Sequence, residues 1–297
     1  MPICSVHPLA YHVDPIGYFS LIRHAPGAVL LDSGRPQADR GRFDILSAWP
    51  LETFAPQTHE SGAAFLQRLR DSLVELGDTQ LPDNNALPFA GGLIGYLAYD
   101  FGRLLEPLPT RAIDDLHLPS ARLGLYSWAL ISDHLQQTSQ LVFHPSLNDK
   151  ERQRLIGLFE QPTTADQTTF SLTRPFAPDI SAEDYRHAIE RIHAYIQAGD
   201  CYQVNFAQRF RAQYSGDSWA AYQALRVACP TPFAGYLSLP QGDAVLSLSP
   251  ERFVKVSQRQ VETRPIKGTR PRGKDAAQDK AYADELLASK KDRAENL

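Results

Sequence analysis

The chain has 297 residues, of which 43% are hydrophobic and 22% charged, and its net charge is -4 at pH 7. This composition is typical of a globular protein of one large or two ordinary domains, and it argues against wholesale nucleic-acid binding. The N-terminus lacks the basic flank and apolar core of a signal peptide, and no apolar run approaches the roughly 20 residues of a membrane helix. The three cysteines are too scattered for a disulfide framework, so we expect a cytoplasmic protein.

The first half of the sequence predicts a mixture of strands and helices. Two β-rich runs, 17–24 and 28–32, flank Ala25-Pro26-Gly27 and predict a hairpin. An apolar stripe over 61–76, followed by Gly77, predicts a helix. A strand pair and a short helix complete this half, over 122–133, 139–144 and 149–159.

Composition changes at residues 161–180, a segment with three prolines, several threonines and little periodicity. We interpret this segment as a linker. The predicted organisation is therefore an N-terminal region over 1–160, the linker, and a second domain over 181–297.

The second half predicts a helix that begins with a capping box, Ser181 to Asp184, and ends at Gly199. Alternation from Cys201 to Tyr214 predicts a half-buried strand, and a helix over 219–228 follows. The next four β segments predict an antiparallel meander, over 233–239, 244–249, 252–257 and 260–266. The fold class is therefore α+β, with antiparallel sheets in a β-sandwich-like core flanked by helices.

The last predicted helix starts near Asp279 and stops at Leu297 without a glycine, a proline or a polar cap. A chain that ends within a pattern favours a fragment, although a frayed natural terminus has the same appearance.

Glu251 and Lys267 are the first candidate pair for chemistry. If 252–257 and 260–266 form a hairpin that turns at residue 259, these two side chains oppose each other on one face, with Cβ atoms roughly 5 Å apart. A register shift of one residue would place them on opposite faces. The surrounding cations would lower the pKa of the Lys267 amine and favour a nucleophile; those cations are Arg264, Arg270, Arg272 and Lys274. A solvated cross-strand ion pair is the alternative.

Asp292 and Glu295 are the second candidate pair. Their spacing places both carboxylates on one helix face, where they could hold Mg²⁺. Acidic pairs on helices are more often solvated surface, so the spacing alone leaves both possibilities open. The glycine-rich run over 91–96 contains no nucleotide-binding fingerprint, and we expect its glycines to allow close backbone packing.

Several segments together resemble the chorismate-utilising enzymes, and among them the aminodeoxychorismate synthase component I branch of para-aminobenzoate and folate synthesis. In the second half the resemblance is carried by GDCYQVN, SPERF, RPIKGTRPR and KDRAEN, at 199–205, 249–253, 264–272 and 291–296. In the first half it is carried by 31–33, 42–45, and 91–96 with 99–100. The resemblance implies an anthranilate synthase component I-like fold, incomplete at the C-terminus.

The family chemistry implies a transferase reaction with a covalent intermediate. Lys267 would attack C2 of chorismate and expel the C4 hydroxyl, and ammonia would then add at C4 and release the lysine. Glu251 would be the general acid and base, while Gly268 and Thr269 would receive a substrate carboxylate. Relatives that make anthranilate carry alanine at the position of Lys267, and isochorismate-forming relatives carry a lysine where this chain has Gln203.

The resemblance also implies a cofactor and partners. Glu295 would ligate Mg²⁺, with Asp292 nearby, and ammonia would come from a separate glutamine amidotransferase subunit. A tryptophan pocket would lie in the N-terminal half, bounded by Ser33, Pro232, Phe233 and Ala234. The run at 229–234 departs from the Pro-Tyr-Met pattern of anthranilate synthases, so ordinary sandwich core is the alternative for these residues.

Family members continue well past the KDRAEN motif, and that further stretch contains a second glutamate ligand of Mg²⁺ and residues that bind the substrate. The resemblance therefore predicts a C-terminally truncated chain that is inactive or nearly so. Two other functions stay open: anthranilate synthase component I, and a non-catalytic tryptophan-binding fragment.

Overall fold

A computed structural model describes residues 1–82, 87–111, 113–162 and 168–295. The chain divides into two compact units, Met1–Ala165 with Leu225–Leu297, and Asp166–Ala224. The first boundary between the two units lies inside the predicted linker. Residues 163–167 of that linker fall outside the described residues. The second boundary between the units lies inside the region predicted as the second domain, 181–297.

Most strands of the first unit come before the linker. Among the described residues these strands are β1 Ser5–Leu9, β2 Val29–Asp32, β3 Phe43–Ser47, β4 Glu52–Phe54, β5 Gly92–Leu97, β6 Ala121–Tyr126, β7 Trp128–Asp133 and β8 Thr138–Phe143. The helices of this part are α1 Ile16–Ser20, α2 Gly62–Leu76 and α3 Asp149–Phe159, with a 3-10 helix over Tyr99–Leu104.

The remainder of the chain starts with the second unit. Its elements are β9 Phe170–Leu172, β10 Ala177–Pro178, α4 Ala182–Ala198, β11 Phe210–Arg211, β12 Tyr214–Gly216 and the first part of α5 Ser218–Ala228. The chain then returns to the first unit with β13 Phe233–Ser238, a 3-10 turn over Pro240–Gly242, β14 Ala244–Ser249, β15 Lys255–Ser257, β16 Gln260–Glu262, α6 Ala276–Ala288 and α7 Lys290–Glu295.

The first unit is built on a seven-stranded antiparallel sheet of order β1-β8-β7-β3-β2-β13-β14. A smaller sheet, β4-β6-β5, packs against it through Val29, Ile94 and Tyr126. Every residue of β7 is buried, as expected for a central strand with both faces covered. The predicted α+β class and the sandwich-like core are confirmed.

Three predicted helices start at side-chain caps. Ser61 accepts a hydrogen bond from the Ala64 amide at 3.2 Å, and Asn148 accepts one from Glu151 at 2.9 Å. Ser181 accepts one from the Asp184 amide at 3.0 Å, as the capping box predicts. These local bonds satisfy amides that have no partner within the helix.

The prediction of close packing at the glycine-rich run is confirmed at Gly95. A Cβ atom there would lie 2.0 Å from the carbonyl oxygen of Arg122 on the neighbouring strand. Only glycine allows β5 and β6 to approach this closely.

Two predicted strands are wrong. Residues 17–24 contain helix α1 and turns instead, because Phe19 and Ile22 are both buried, a spacing of three that suits a helix. Between Cys201 and Tyr214 the described strand is limited to β11 and the first residue of β12. Tyr202 in this run is 91% exposed. Alternation predicts a strand only where a neighbouring strand supplies backbone partners.

The predicted four-stranded meander is also wrong. β13 pairs with β14, but β15 pairs with β16 in a separate two-stranded sheet. Among the described residues, no helix combines the length and apolar character that crossing a membrane would require.

Candidate active site and adjoining cavity

A cavity of about 700 Å³ lies in the first unit, where β2, β13 and the β15–β16 hairpin meet. Its wall contains Pro232, Phe233 and Ala234, which are three of the four residues predicted to bind tryptophan. Cationic side chains outnumber acidic ones in its lining, which contains Arg40, Arg42, Arg252, Lys255 and Arg264 against Asp32 and Glu262. The volume lies within the range of small-molecule sites, about 300–1,000 Å³.

Ser33, the fourth predicted residue, follows the cavity-lining Asp32 and is only 1% exposed. Its amide donates to Asp44 Oδ1 at 2.7 Å, and the other Asp44 oxygen lies 2.7 Å from His134 Nε2. The opposite ring nitrogen of His134 lies 2.9 Å from the hydroxyl of Tyr11. Within the described part of the chain, the buried Ser33 hydroxyl oxygen has no hydrogen-bond partner.

Asp32 is held by a buried arginine that the sequence did not reveal. Arg226 Nε lies 2.8 Å from Asp32 Oδ2, and its Nη2 lies 3.1 Å from Oδ1. The partners are 194 positions apart, so no local pattern could pair them. The sequence signals are one charged residue in the otherwise uncharged helix α5, and another at the end of the apolar strand β2.

A second ionic cluster lines the hairpin side of the cavity. Arg252 and Arg264 both pair with the carboxylate of Glu262, and the Arg252 guanidinium lies 5.1 Å from the Phe233 ring centroid. The hydrogen bond from Arg264, reinforced by the charge of Arg252, lowers the pKa of Glu262. These contacts hold the β15–β16 hairpin beside Phe233, the aromatic residue predicted to bind tryptophan.

The predicted opposition of Glu251 and Lys267 does not follow from the hairpin register. Ser257 pairs with Gln260 across the turn, one residue away from the predicted register. The turn has two residues, Gln258 and Arg259, with φ of 50° and 64°, and such a loop makes the sum of paired positions odd. Both Glu251 and Lys267 are exposed and lie outside the paired strands.

Three of the four cations predicted around Lys267 are themselves paired. Arg264 pairs with Glu262, Arg272 with Asp279 at 2.8 Å, and Arg270 with both Glu285 and Asp292. Carboxylates therefore offset much of the positive charge that the sequence places near the lysine.

Gly268 brings the motif that contains Lys267 against the KDRAEN motif. Its φ is +69°, and a Cβ atom there would lie 2.7 Å from Cγ and Oδ1 of Asp292. Asp292 is 8% exposed, and its Oδ2 lies 3.1 Å from Arg270 Nη2. A hydrogen bond with the Ser289 side chain, together with the charge of Arg270, lowers the pKa of the Asp292 carboxyl.

Asp292 and Glu295, the two carboxylates predicted to hold magnesium, both lie on α7. One oxygen of Asp292 contacts Arg270, and Glu295 Oε1 lies 3.8 Å from Lys291 Nζ. No group of three or more candidate metal ligands occurs in the residues that the structure covers. Further ligands would therefore have to come from water, substrate or other chain segments.

Comparison with known proteins places these motifs in context. Residues 27–297 match the family described as chorismate binding enzyme. The chain is 40% identical over 290 residues to aminodeoxychorismate synthase component 1 of Escherichia coli (strain K12), covering 94% of this chain and 63% of that protein. It is 34% identical over 299 residues to anthranilate synthase component 1 of Thermus thermophilus, covering 94% of this chain and 62% of that protein.

The fold is similar to the crystal structure of anthranilate synthase component I from Streptococcus pneumoniae TIGR4. The TM-score is 0.70 at 24% identity, and the match covers 87% of this chain and 59% of that one. The chain thus spans less than two thirds of the length of the relatives that it matches.

Proposed function

Because the chain belongs to the family of chorismate binding enzymes, we propose that it is part of an aminodeoxychorismate synthase that converts chorismate to 4-amino-4-deoxychorismate for para-aminobenzoate synthesis. The observation that carries this proposal is the lysine at position 267. Its side chain is exposed between Ile266, which lines the cavity, and Gly268, which packs on Asp292.

In the proposed reaction Lys267 Nζ forms a bond to C2 of chorismate, and the C4 hydroxyl leaves as water with a proton from Glu251. Ammonia then forms a bond to C4 while the bond between C2 and the lysine nitrogen breaks. Glu251 takes up the proton released by the incoming amine. The net change replaces a hydroxyl by an amine, and the lysine is regenerated.

Substrate carboxylates would be received by the backbone at Gly268 and Thr269. Glu295 and Asp292 would hold Mg²⁺, which when bound would neutralise carboxylate charge. The numbered component in the relatives' names supports a second protein component, and we propose a glutamine amidotransferase that supplies ammonia. We also propose a cytoplasmic location, where the three cysteines would stay reduced.

The cavity is proposed to bind tryptophan. Pro232, Phe233 and Ala234 lie in its wall, and so does Asp32, the residue before the buried Ser33. Phe233 offers an aromatic surface to an indole ring, and the arginines of the lining offer partners to the amino-acid carboxylate.

Mass spectrometry tests the proposed intermediate. The full-length protein, incubated with chorismate alone, should carry an adduct on Lys267, because the second step requires ammonia. Lys267→Ala should remove the adduct and abolish or reroute the product, while Lys274→Ala is the matched control from the same cationic segment. Normal kinetics in the Lys267 variant would overturn the mechanism.

Anthranilate synthase is the second candidate, supported by the 34% identical Thermus thermophilus relative. The products distinguish the two, because anthranilate is fluorescent and contains no C4 amine. A third candidate, a non-catalytic tryptophan-binding fragment, is supported by the cavity. Calorimetry of the 297-residue chain with tryptophan and with chorismate tests it, since only tryptophan should then bind.

A further inference from the structure

Arg226 makes a set of contacts behind the cavity wall that no proposed ligand or catalytic group explains. Its side chain is 1% exposed and is absent from the cavity lining. Besides its two bonds to Asp32, its Nη1 lies 3.1 Å from Asp14 Oδ1, and its Nη2 donates to the carbonyl of Arg35 at 2.6 Å. One guanidinium therefore holds three separate points of the chain.

Two of those points are the ends of one turn. Asp32 ends strand β2 and Arg35 lies three residues later, so Arg226 spans the turn that contains Ser33. Asp32 Oδ1 also accepts the Gly34 amide at 2.7 Å. Gly34 has a φ of +75°, and a Cβ atom there would lie 2.5 Å from the Thr231 carbonyl oxygen. The turn is thus packed against the segment that leads into Pro232.

A buried ion pair is a costly way to stabilise a fold. Desolvation of two charges offsets most of their attraction, and apolar residues of similar volume often do as well. What the planar guanidinium supplies is geometry, because its donors are fixed in one plane and engage a carboxylate with two bonds. The contacts of Arg226 have this form, and they are directed at the turn rather than at solvent.

We propose that Arg226 is a positioning residue of the cavity, which holds the Asp32–Arg35 turn against the segment that leads into Pro232, so that Asp32 and Pro232 line one wall. The proposal deepens the proposed tryptophan site and rests on it for the identity of the ligand. Arg226 itself touches no ligand. Its loss should therefore loosen the turn and weaken binding without removing any group of the binding surface.

The test uses Arg226→Lys in the full chain. Lysine keeps the charge but cannot bond to both Asp32 oxygens and also reach the Arg35 carbonyl. The matched control is Arg68→Lys. Arg68 likewise makes two bonds to a carboxylate, Glu60, at 3.0 and 2.9 Å and one to a carbonyl, that of Ala55, at 2.9 Å. It lies outside the cavity lining.

Hydrogen exchange gives the first readout and needs no ligand. Amides of residues 33–35 should exchange about tenfold faster in Arg226→Lys, as expected for lost charge-assisted hydrogen bonds. Exchange in β7 and β8 should be unchanged, and Arg68→Lys should leave residues 33–35 as in the unaltered chain. Equal acceleration in both variants, or none in Arg226→Lys, would overturn the proposal.

Calorimetry with L-tryptophan gives the second readout. The dissociation constant should rise about tenfold in Arg226→Lys and stay constant in Arg68→Lys. If the unaltered chain binds tryptophan and Arg226→Lys binds it equally well, the positioning role is wrong. If the unaltered chain binds no tryptophan, the proposed ligand is wrong, and the exchange rates alone decide the role of Arg226.

Discussion

Substitution of Gly268 by alanine tests whether the two second-half motifs are packed together as the structure has them. The new Cβ would lie 2.7 Å from Asp292 Cγ and 2.8 Å from Asp292 Cβ, well inside van der Waals contact. The backbone at φ +69° adds a separate cost, because an L-residue is strained there. The strain is worth about 1–2 kcal/mol, and the overpacking about 1–3 kcal/mol.

The two costs can be separated with Gly242→Ala. Gly242 has a φ of +86°, but a Cβ atom there would meet nothing within 4 Å. That variant should lose only the strain energy in urea unfolding, about 1–2 kcal/mol. Gly268→Ala should lose about 2–5 kcal/mol unless helix α7 moves away to relieve the clash.

Movement of α7 has its own signature. The Arg293 amide donates to the Ser289 carbonyl at 3.1 Å, and its exchange reports opening of this helix. Exchange of the Arg293 amide should accelerate by about 5- to 150-fold in Gly268→Ala, because an overpacking energy of about 1–3 kcal/mol corresponds to that factor. Its exchange should be unchanged in Gly242→Ala. If both variants have the same unfolding free energy and the same exchange at Arg293, the packing of Gly268 on Asp292 is refuted.

Three further outcomes are expected. Burial raises the pKa of the Asp133 carboxyl, but hydrogen bonds from Arg42, the shortest at 2.7 Å, and from two backbone amides outweigh burial and lower that pKa below its ordinary value. Its stabilisation should be complete above the unfolded value and lost as pH falls through the lower folded pKa, and Asp133→Asn should remove this acid dependence from urea unfolding. Gly95→Ala should cost about 3 kcal/mol or more through overpacking of β5 and β6, whereas Gly157→Ala, in an open helical position, should stabilise by about 0.5–1 kcal/mol in the same assay. Because the chain spans 63% of the length of the Escherichia coli relative, we expect it to form aminodeoxychorismate from chorismate and ammonium far more slowly than that relative, and a comparable rate in a chromatographic assay would contradict this expectation.

Local signals made the longer helices predictable, although α1 was predicted as a strand. Ser61, Asn148 and Ser181 each cap a helix through an amide three residues further on, and Gly199 ends one in the left-handed conformation. Five of the seven strands of the large sheet were also predicted from apolar runs, whereas β1 and β3 were not. Their order was not predictable, since β2 lies between β3 and β13 and the latter is about two hundred positions away.

The candidate site was less predictable, for two physical reasons. The hairpin register depends on whether the turn has two or three residues. The two-residue turn requires a positive φ at both Gln258 and Arg259, and neither residue type predicts that conformation. The Arg226 contacts depend on a pairing across 194 positions, and a single arginine in an apolar helix does not identify its partner. Motif resemblance supplied the candidate residues, but it could not supply these contacts.

The cavity lining gives a different route to the convergence of Glu251 and Lys267. Pro250 and Arg252 both line the cavity, as do Arg264 and Ile266 on the returning segment. Glu251 and Lys267 are sequence neighbours of these four residues, and neither is in the lining. Pro250 and Glu251 lie in a bend, so strand alternation does not set the direction of the Glu251 side chain. The segments that carry the two groups nevertheless border the same cavity, and this brings them to one region of the fold even though the β15–β16 register does not oppose them.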